Sequence, residues 1–153
     1  SLKYLEPDQL ILIVRRAATT LSALELANDN WCFACGKDNP ISLKLDFKKQ
    51  DDGDYVARFT PKKEHQGYLG ITHGGIMATV LDEAMARLAW ADGFQAVTAE
   101  MTVRYRLPAK TGEELVVAGR ITGEDRRTIT CSAEAKNPEG KVVAEATARM
   151  VKV

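Results

Sequence analysis

Charge of one sign is not in excess in this sequence: lysine plus arginine and aspartate plus glutamate each number 21 in 153 residues. A chain so balanced lacks the broad basic field that neutralises nucleic-acid phosphates, so any anionic ligand must be met by a local cluster. Long hydrophobic runs are missing as well. The longest wholly apolar run in the first half, Leu10 to Val14, is far shorter than a bilayer span, and no small-residue cleavage site follows it. The expectation is a cytoplasmic protein with neither a nucleic-acid nor a membrane partner. Cysteine is scarce. Cys32, Cys35 and Cys131 are an odd number in a chain large enough to fold without staples, which argues for reduced thiols. No Gly-x-Ser-x-Gly frames Ser22, Ser42 or Ser132, which argues against a serine hydrolase.

What is present has the balance of a packed globular domain, 45% hydrophobic and 27% charged, at a length that fits one core. After Pro7, the residues Leu10, Val14, Ala17, Leu21 and Leu24 recur at spacings of three and four and draw one apolar stripe along a helix. Asn28 to Asn30 stop it, so residues 1–30 are expected to form an N-terminal helical extension and 31–153 the main domain. From Trp31 to Pro40 the composition suits turns.

Beyond that loop the dominant period is two. Leu43, Leu45 and Phe47 alternate with the charged Lys44, Asp46 and Lys48, and after the turn Asp51 to Asp54 the residues Tyr55, Ala57 and Phe59 alternate with Val56 and Arg58, predicting a hairpin. Val97, Ala99, Met101, Val103, Tyr105 and Leu107 alternate with Thr98, Glu100, Thr102, Arg104 and Arg106, as on a strand with one face on the core. Three further strands are expected at 114–122, 127–136 and 142–151, joined by short turns in an antiparallel meander.

One helix interrupts this pattern. His73 to Ala91 carries Ile76, Met77, Val80, Leu81, Ala84, Met85, Leu88 and Ala89, an apolar set too wide for a helix with a solvated face. The element order then predicts an α+β fold in which a six-stranded antiparallel sheet wraps one long central helix. On that helix Glu83 has Arg87 four residues on and is expected to form a solvated ion pair. Asp82 has only Ala78, Thr79, Met85 and Ala86 as helical neighbours, and a carboxylate in such surroundings needs either a distant partner or a function. Gly74 and Gly75 lie in the first turn, where amides have no intrahelical acceptor and the dipole is positive, so they suit a developing oxyanion; Gly75 and Ala78 also leave room for a ligand beside Asp82. Two readings stay open on the residues alone: a tight turn with a satisfied core polar group, or a catalytic carboxylate with an amide donor. If the second holds, Gly74 and Asp82, about 12 Å apart along one helix, cannot both reach one carbonyl, and a two-fold dimer with antiparallel central helices would supply one of them from each copy.

The stretches HQGYLGITHGGIMATVLDE, VTAEMTVRYRLPAKTGE and CFACGKDNPISLKLDF resemble the hotdog-fold thioesterases, in particular the phenylacetyl-CoA-thioesterase-like group, over about Trp31 to Val153. The resemblance implies an acyl-CoA substrate, no cofactor and a homodimer with shared active sites, alone or as a dimer of dimers. It implies Asp82 as the catalytic carboxylate, base or nucleophile, Gly74 as the amide polarising the thioester carbonyl, and Thr98 as a hydroxyl placing the water. Where some relatives carry an asparagine this chain has Gly67, so any side-chain help there falls to His65 or Gln66. Arg104, Arg106, Lys110 and Arg126, with Arg127, are candidate contacts for the coenzyme A phosphates, or else solvate the sheet's outer face. His65 is a candidate for lining the substrate channel, and His73 for orienting the helix start. Cys32-x-x-Cys35 is half of a zinc site with no second pair following, so no metal centre is expected. Two other functions fit the same features: an acyl-thioester hydratase or dehydratase pairing His65 with Asp82, and a non-catalytic acyl-CoA-binding module.

Overall fold

The computed structural model describes residues 26–153; the helical stripe expected within 1–30 lies almost wholly outside them. The described chain runs β1 (Lys48–Lys49), β2 (Tyr55–Phe59), a 3-10 turn (Lys63–His65), β3 (Gln66–Tyr68), β4 (Ile71–Thr72), α1 (Gly74–Ala91), β5 (Ala96–Tyr105), β6 (Leu115–Glu124), β7 (Thr128–Lys136) and β8 (Val142–Lys152). Six strands form one antiparallel sheet in the order β1-β2-β6-β7-β8-β5. α1 touches β2, β5, β6, β7 and β8, which is the expected hotdog arrangement of a sheet wrapped on one helix.

The helix is buried for the reason its sequence suggested. Met77, Val80, Leu81, Ala84, Met85, Leu88 and Ala89 are buried against inward residues of the sheet such as Leu115, Val117, Ile129 and Met150, while Ile76 is half-buried. Helix and sheet approach closely at Gly119 on β6, where a Cβ would lie 2.7 Å from the Ala84 carbonyl oxygen. Only glycine fits there without a shift.

Three expectations are corrected. The last four strands are not a simple meander: β6, β7 and β8 pair in succession, but β5 lies beside β8, leaving the ten-residue β5 at the sheet's edge. The first strand of the hairpin is shorter than its alternation implied, because Leu43 and Leu45 donate their amides to Phe33 and Ala34 and only Lys48 and Lys49 pair with β2. Leu43, Leu45 and Phe47 are nevertheless buried, so the alternation recorded burial and not pairing. Finally, the small β3–β4 hairpin was not expected. It is tied to the loop after β5 by Thr72 N–H donating to the Ala109 carbonyl at 2.8 Å, and the two segments wall the start of α1.

Candidate active site

Alternation along β5 is broken once. Thr98 is the partner of Met150 and Glu100 of Arg149, which leaves Ala99 out of the ladder as a bulge. Before it, Thr98 shares a face with the buried Met150; after it, Met101 and Val103 face the buried Ala148 and Ala146. Strict alternation would have put Thr98 on the opposite face from Met101. The extra residue turns it toward the helix instead, a common use of a bulge beside a site.

There Thr98 Oγ1 donates to Asp82 Oδ1 at 2.8 Å. Asp82 is half-buried on α1, and among the described residues it takes part in no salt bridge. Its distant partner is therefore a neutral hydroxyl. That bond satisfies one carboxylate oxygen and leaves Oδ2 available for a water or a carbonyl carbon. Along the same side of the helix Gly75, Ala78, Thr79 and Ala86 are also only partly covered by their own chain.

The helix start is held by His73, whose Nδ1 accepts from Gly75 N–H at 2.8 Å and whose carbonyl accepts from Met77 N–H at 3.1 Å. His73 therefore orients the first turn as its position suggested. The same bond occupies the Gly75 amide, so of the two glycines only Gly74 can offer a free first-turn N–H; what Gly75 adds is the absence of a side chain. Tyr105 at the end of β5 donates its hydroxyl to the Gly74 carbonyl at 2.7 Å and fixes that peptide from the other side. Sequence reasoning missed Tyr105. Alternation marked it only as an inward position of β5, and nothing in the sequence ties it to Gly74, 31 residues earlier. Beside Gly74 opens a cleft of about 380 Å³ walled by Tyr68, Ile71, Met77, Tyr105 and Leu107, with no contribution from Asp82.

The two loop residues are already engaged. His65 Nδ1 accepts from Lys62 N–H at 2.9 Å, its ring lies 5.7 Å from that of Phe59, and burial, against the pull of Glu64, holds the imidazole below its ordinary range. Gln66 Oε1 accepts from Gly70 N–H across the β3–β4 turn. The basic residues do not form one cluster. Arg106 is paired with Glu145, its Nε at 3.1 Å, and Lys110 with Glu113 at 3.4 Å. Arg104 lines a shallow groove on the outer face of the sheet with Arg120 and Glu134. Arg126 sits on the turn after β6, and ten strand residues put it roughly 30 Å from the β5–β6 loop, so within one chain it cannot join Lys110. Nor does Glu83 pair with Arg87: it is buried at 9% exposure and points toward Cys32, the helix having turned it inward against the loop at 32–36.

Comparison with known proteins agrees with this architecture. The family described as the thioesterase superfamily matches residues 69–144, which include α1 and β5. The chain is 29% identical over 96 residues to acyl-coenzyme A thioesterase 13 of Homo sapiens, covering 61% of this chain and 69% of that protein. It is 32% identical over 102 residues to a putative esterase of Archaeoglobus fulgidus, covering 67% and 66%. A hypothetical thioesterase of Streptococcus pneumoniae solved with coenzyme A superposes with a TM-score of 0.67 at 25% identity, covering 71% of this chain and 85% of that one.

Proposed function

The chain belongs to the thioesterase superfamily, and from that premise we propose that it hydrolyses a small or medium acyl-CoA to the free acid and coenzyme A. The observation that carries this reading is Asp82: a half-buried carboxylate whose partner is the neutral Thr98 hydroxyl, on the same helix whose start exposes the Gly74 amide. A thioester carbonyl is electrophilic enough to need only a carboxylate, a water and an oxyanion donor. Asp82 Oδ2 takes a proton from water as it attacks the carbonyl carbon, or attacks that carbon itself to give an anhydride that water then opens. Gly74 N–H holds the oxygen that becomes negative. The C–S bond breaks, the coenzyme A sulfur leaves and is protonated, and the acid remains. Thr98 is a positioning residue that fixes which carboxylate oxygen faces the substrate.

Asp82 and Gly74 act on the same carbonyl only if they come from different copies. The half-exposed stripe of Gly75, Ala78, Thr79, Asp82 and Ala86 and the open edge of β5 support a two-fold homodimer, alone or doubled into a tetramer, in which each copy covers the other's helix. The apolar cleft at Gly74 suits the acyl or pantetheine chain, with Arg106, which lines it, and Lys110, bridged to Ile71 of its wall, as the nearer phosphate contacts and, from the other copy, Arg126; Arg104, on the outer face, is less suited. No helix of the described residues is long and apolar enough to cross a membrane. The three free thiols fit a reducing compartment, and a cytoplasmic location is part of the proposal. The hydratase reading is less favoured because Asp82 is bonded to Thr98 and not to His65, whose Nδ1 already accepts from Lys62 N–H.

The test is thiol release across a panel of acyl-CoAs with wild type and Asp82→Asn. We expect turnover to fall by about two to four orders of magnitude with the thermal transition retained. Equal turnover in the two proteins rejects the assignment, and formation of an enoyl product in place of free thiol supports the hydratase.

A further inference from the structure

Cys32, Cys35 and Glu83 have no part in the hydrolytic chemistry, yet the fold draws them together. The Cys-x-x-Cys pair lacks a second pair in sequence, but the third donor comes from the central helix, 51 residues beyond Cys32. Sγ of each cysteine and one carboxylate oxygen all lie within 4.8 Å of one another. Cys32 Sγ donates to Glu83 Oε2 at 3.8 Å, and tetrahedral zinc with bonds of about 2.3 Å to sulfur and 2.0 Å to oxygen sets those two donors about 3.5 Å apart. That pair needs little movement, and the others, within 4.8 Å, need to close by at most about 1.3 Å.

The second observation is the state of Glu83. It is 9% exposed, and its Oε1 is buried with no hydrogen-bond partner among the described residues. A buried carboxylate is costly unless a cation or several donors meet it, and the helical cation four residues on does not pair with it. The neighbours it has are two thiols, which repel its charge when ionised. A divalent cation inverts that relation, because it binds the deprotonated form of all three.

The loop is shaped to present both sulfurs. Ala34 N–H donates to Cys32 Sγ at 3.3 Å and Gly36 N–H to the Cys32 carbonyl at 2.8 Å. A Cβ on Gly36 would lie 2.4 Å from that carbonyl oxygen and 2.5 Å from that of Asn30, so only glycine allows the turn to close. Cys32 is exposed, and a cavity of about 510 Å³ lined by Cys32, Cys35, Glu83, Arg87 and Trp90 gives solvent access.

We propose that Cys32, Cys35 and Glu83 bind one thiolate-preferring divalent cation, zinc being the chemical match, with water in the fourth position. Two thiolates exclude magnesium and calcium, which take oxygen donors. Binding releases the two thiol protons to solvent and leaves the oxidation state of the sulfurs unchanged. The ion would staple the 32–36 loop to α1 at the residue next to Asp82.

The test uses the full chain, reduced and stripped with a chelator, then titrated with cobalt(II) as the probe. The expected result is a thiolate-to-cobalt charge-transfer band that saturates near one equivalent, is erased by zinc, and accompanies a rise in Tm. Cys35→Ser and Glu83→Gln should each weaken cobalt binding by at least about tenfold. A folded wild type that gives no charge-transfer band overturns the proposal. So does a band of unchanged affinity in Glu83→Gln, or recovery of Cys32 and Cys35 as a disulfide under conditions that keep Cys131 reduced. The wild-type spectrum decides even if a variant fails to fold, and none of these readouts depends on thioesterase activity.

Discussion

Thr98 reaches Asp82 at 2.8 Å because Ala99, between Thr98 and Glu100 on β5, is excluded from the β5–β8 ladder. One extra residue exchanges the two faces of β5 and brings a hydroxyl from a strand onto a carboxylate on a helix. A hydrogen bond to a charged acceptor is worth about 1.5–3 kcal/mol, so Thr98→Val should lower kcat roughly ten- to a hundredfold while KM moves little. Thr98→Ser keeps the hydroxyl and should restore most of the rate. Steady-state thiol release on the two variants checks this, and a Ser variant as impaired as Val would mean that the methyl group matters and the hydroxyl does not.

The same bulge shows what could be read in advance and what could not. The burial of α1 was visible because its eight apolar positions, seven of them buried, form a set too wide for a helix with a solvated face, and Asp82 stood out because none of its helical neighbours could pair with it. The face of Thr98 was not visible. A bulge is set by the partner strand, here by Met150 and Arg149 taking adjacent places opposite Thr98 and Glu100, and alternation within β5 carries no trace of that. Glu83 failed for a related reason. Its expected pairing considered only the helix, whereas the loop at 32–36 packs over that turn and takes the carboxylate inward. The pairing of β5 with β8 is likewise decided by closing the sheet around the helix, not by the short turns joining its strands.

Gly119 marks the closest approach of sheet to helix. A methyl group there would press on the Ala84 carbonyl, which is backbone and cannot swing aside as a side chain could. Gly119→Ala should destabilise the protein by about 1–3 kcal/mol, seen as a lower urea midpoint at unchanged slope. A midpoint equal to that of wild type would show that β6 can shift freely on α1.

Cys131 gives a pH dependence of stability. Burial pushes its thiol from an ordinary 9.0 up to about 11. Below the lower value the thiol is neutral in both states and its contribution is complete. Between the two values the unfolded chain ionises first and binds fewer protons, so stability falls as pH rises, and above the upper value there is no further loss. Cys131→Ala has no thiol to titrate. The difference in urea midpoint between wild type and variant should therefore shrink steadily from pH 9 toward pH 11, and a constant difference across that range would contradict the buried thiol.

The proposed sharing of the site between two copies predicts something that no single variant can show. Gly74 is the first helical residue, where proline is tolerated, and His73 before it has φ −58° and ψ 134°, the extended backbone that precedes proline readily. Gly74→Pro should therefore keep the helix and delete the N–H proposed for the oxyanion, its added Cβ meeting the Tyr105 ring at an ordinary 3.4 Å. Alone, Gly74→Pro and Asp82→Asn should each be nearly inactive. If carboxylate and amide come from different copies, subunit exchange between the two variants creates mixed dimers in which one site combines the intact Asp82 of one copy with the intact Gly74 of the other, while the second site carries both lesions. With random exchange about half the dimers are mixed and each has one sound site of two, so about a quarter of the wild-type rate should return. If each chain completed its own site, every site in the mixture would still carry one lesion, and mixing would restore nothing.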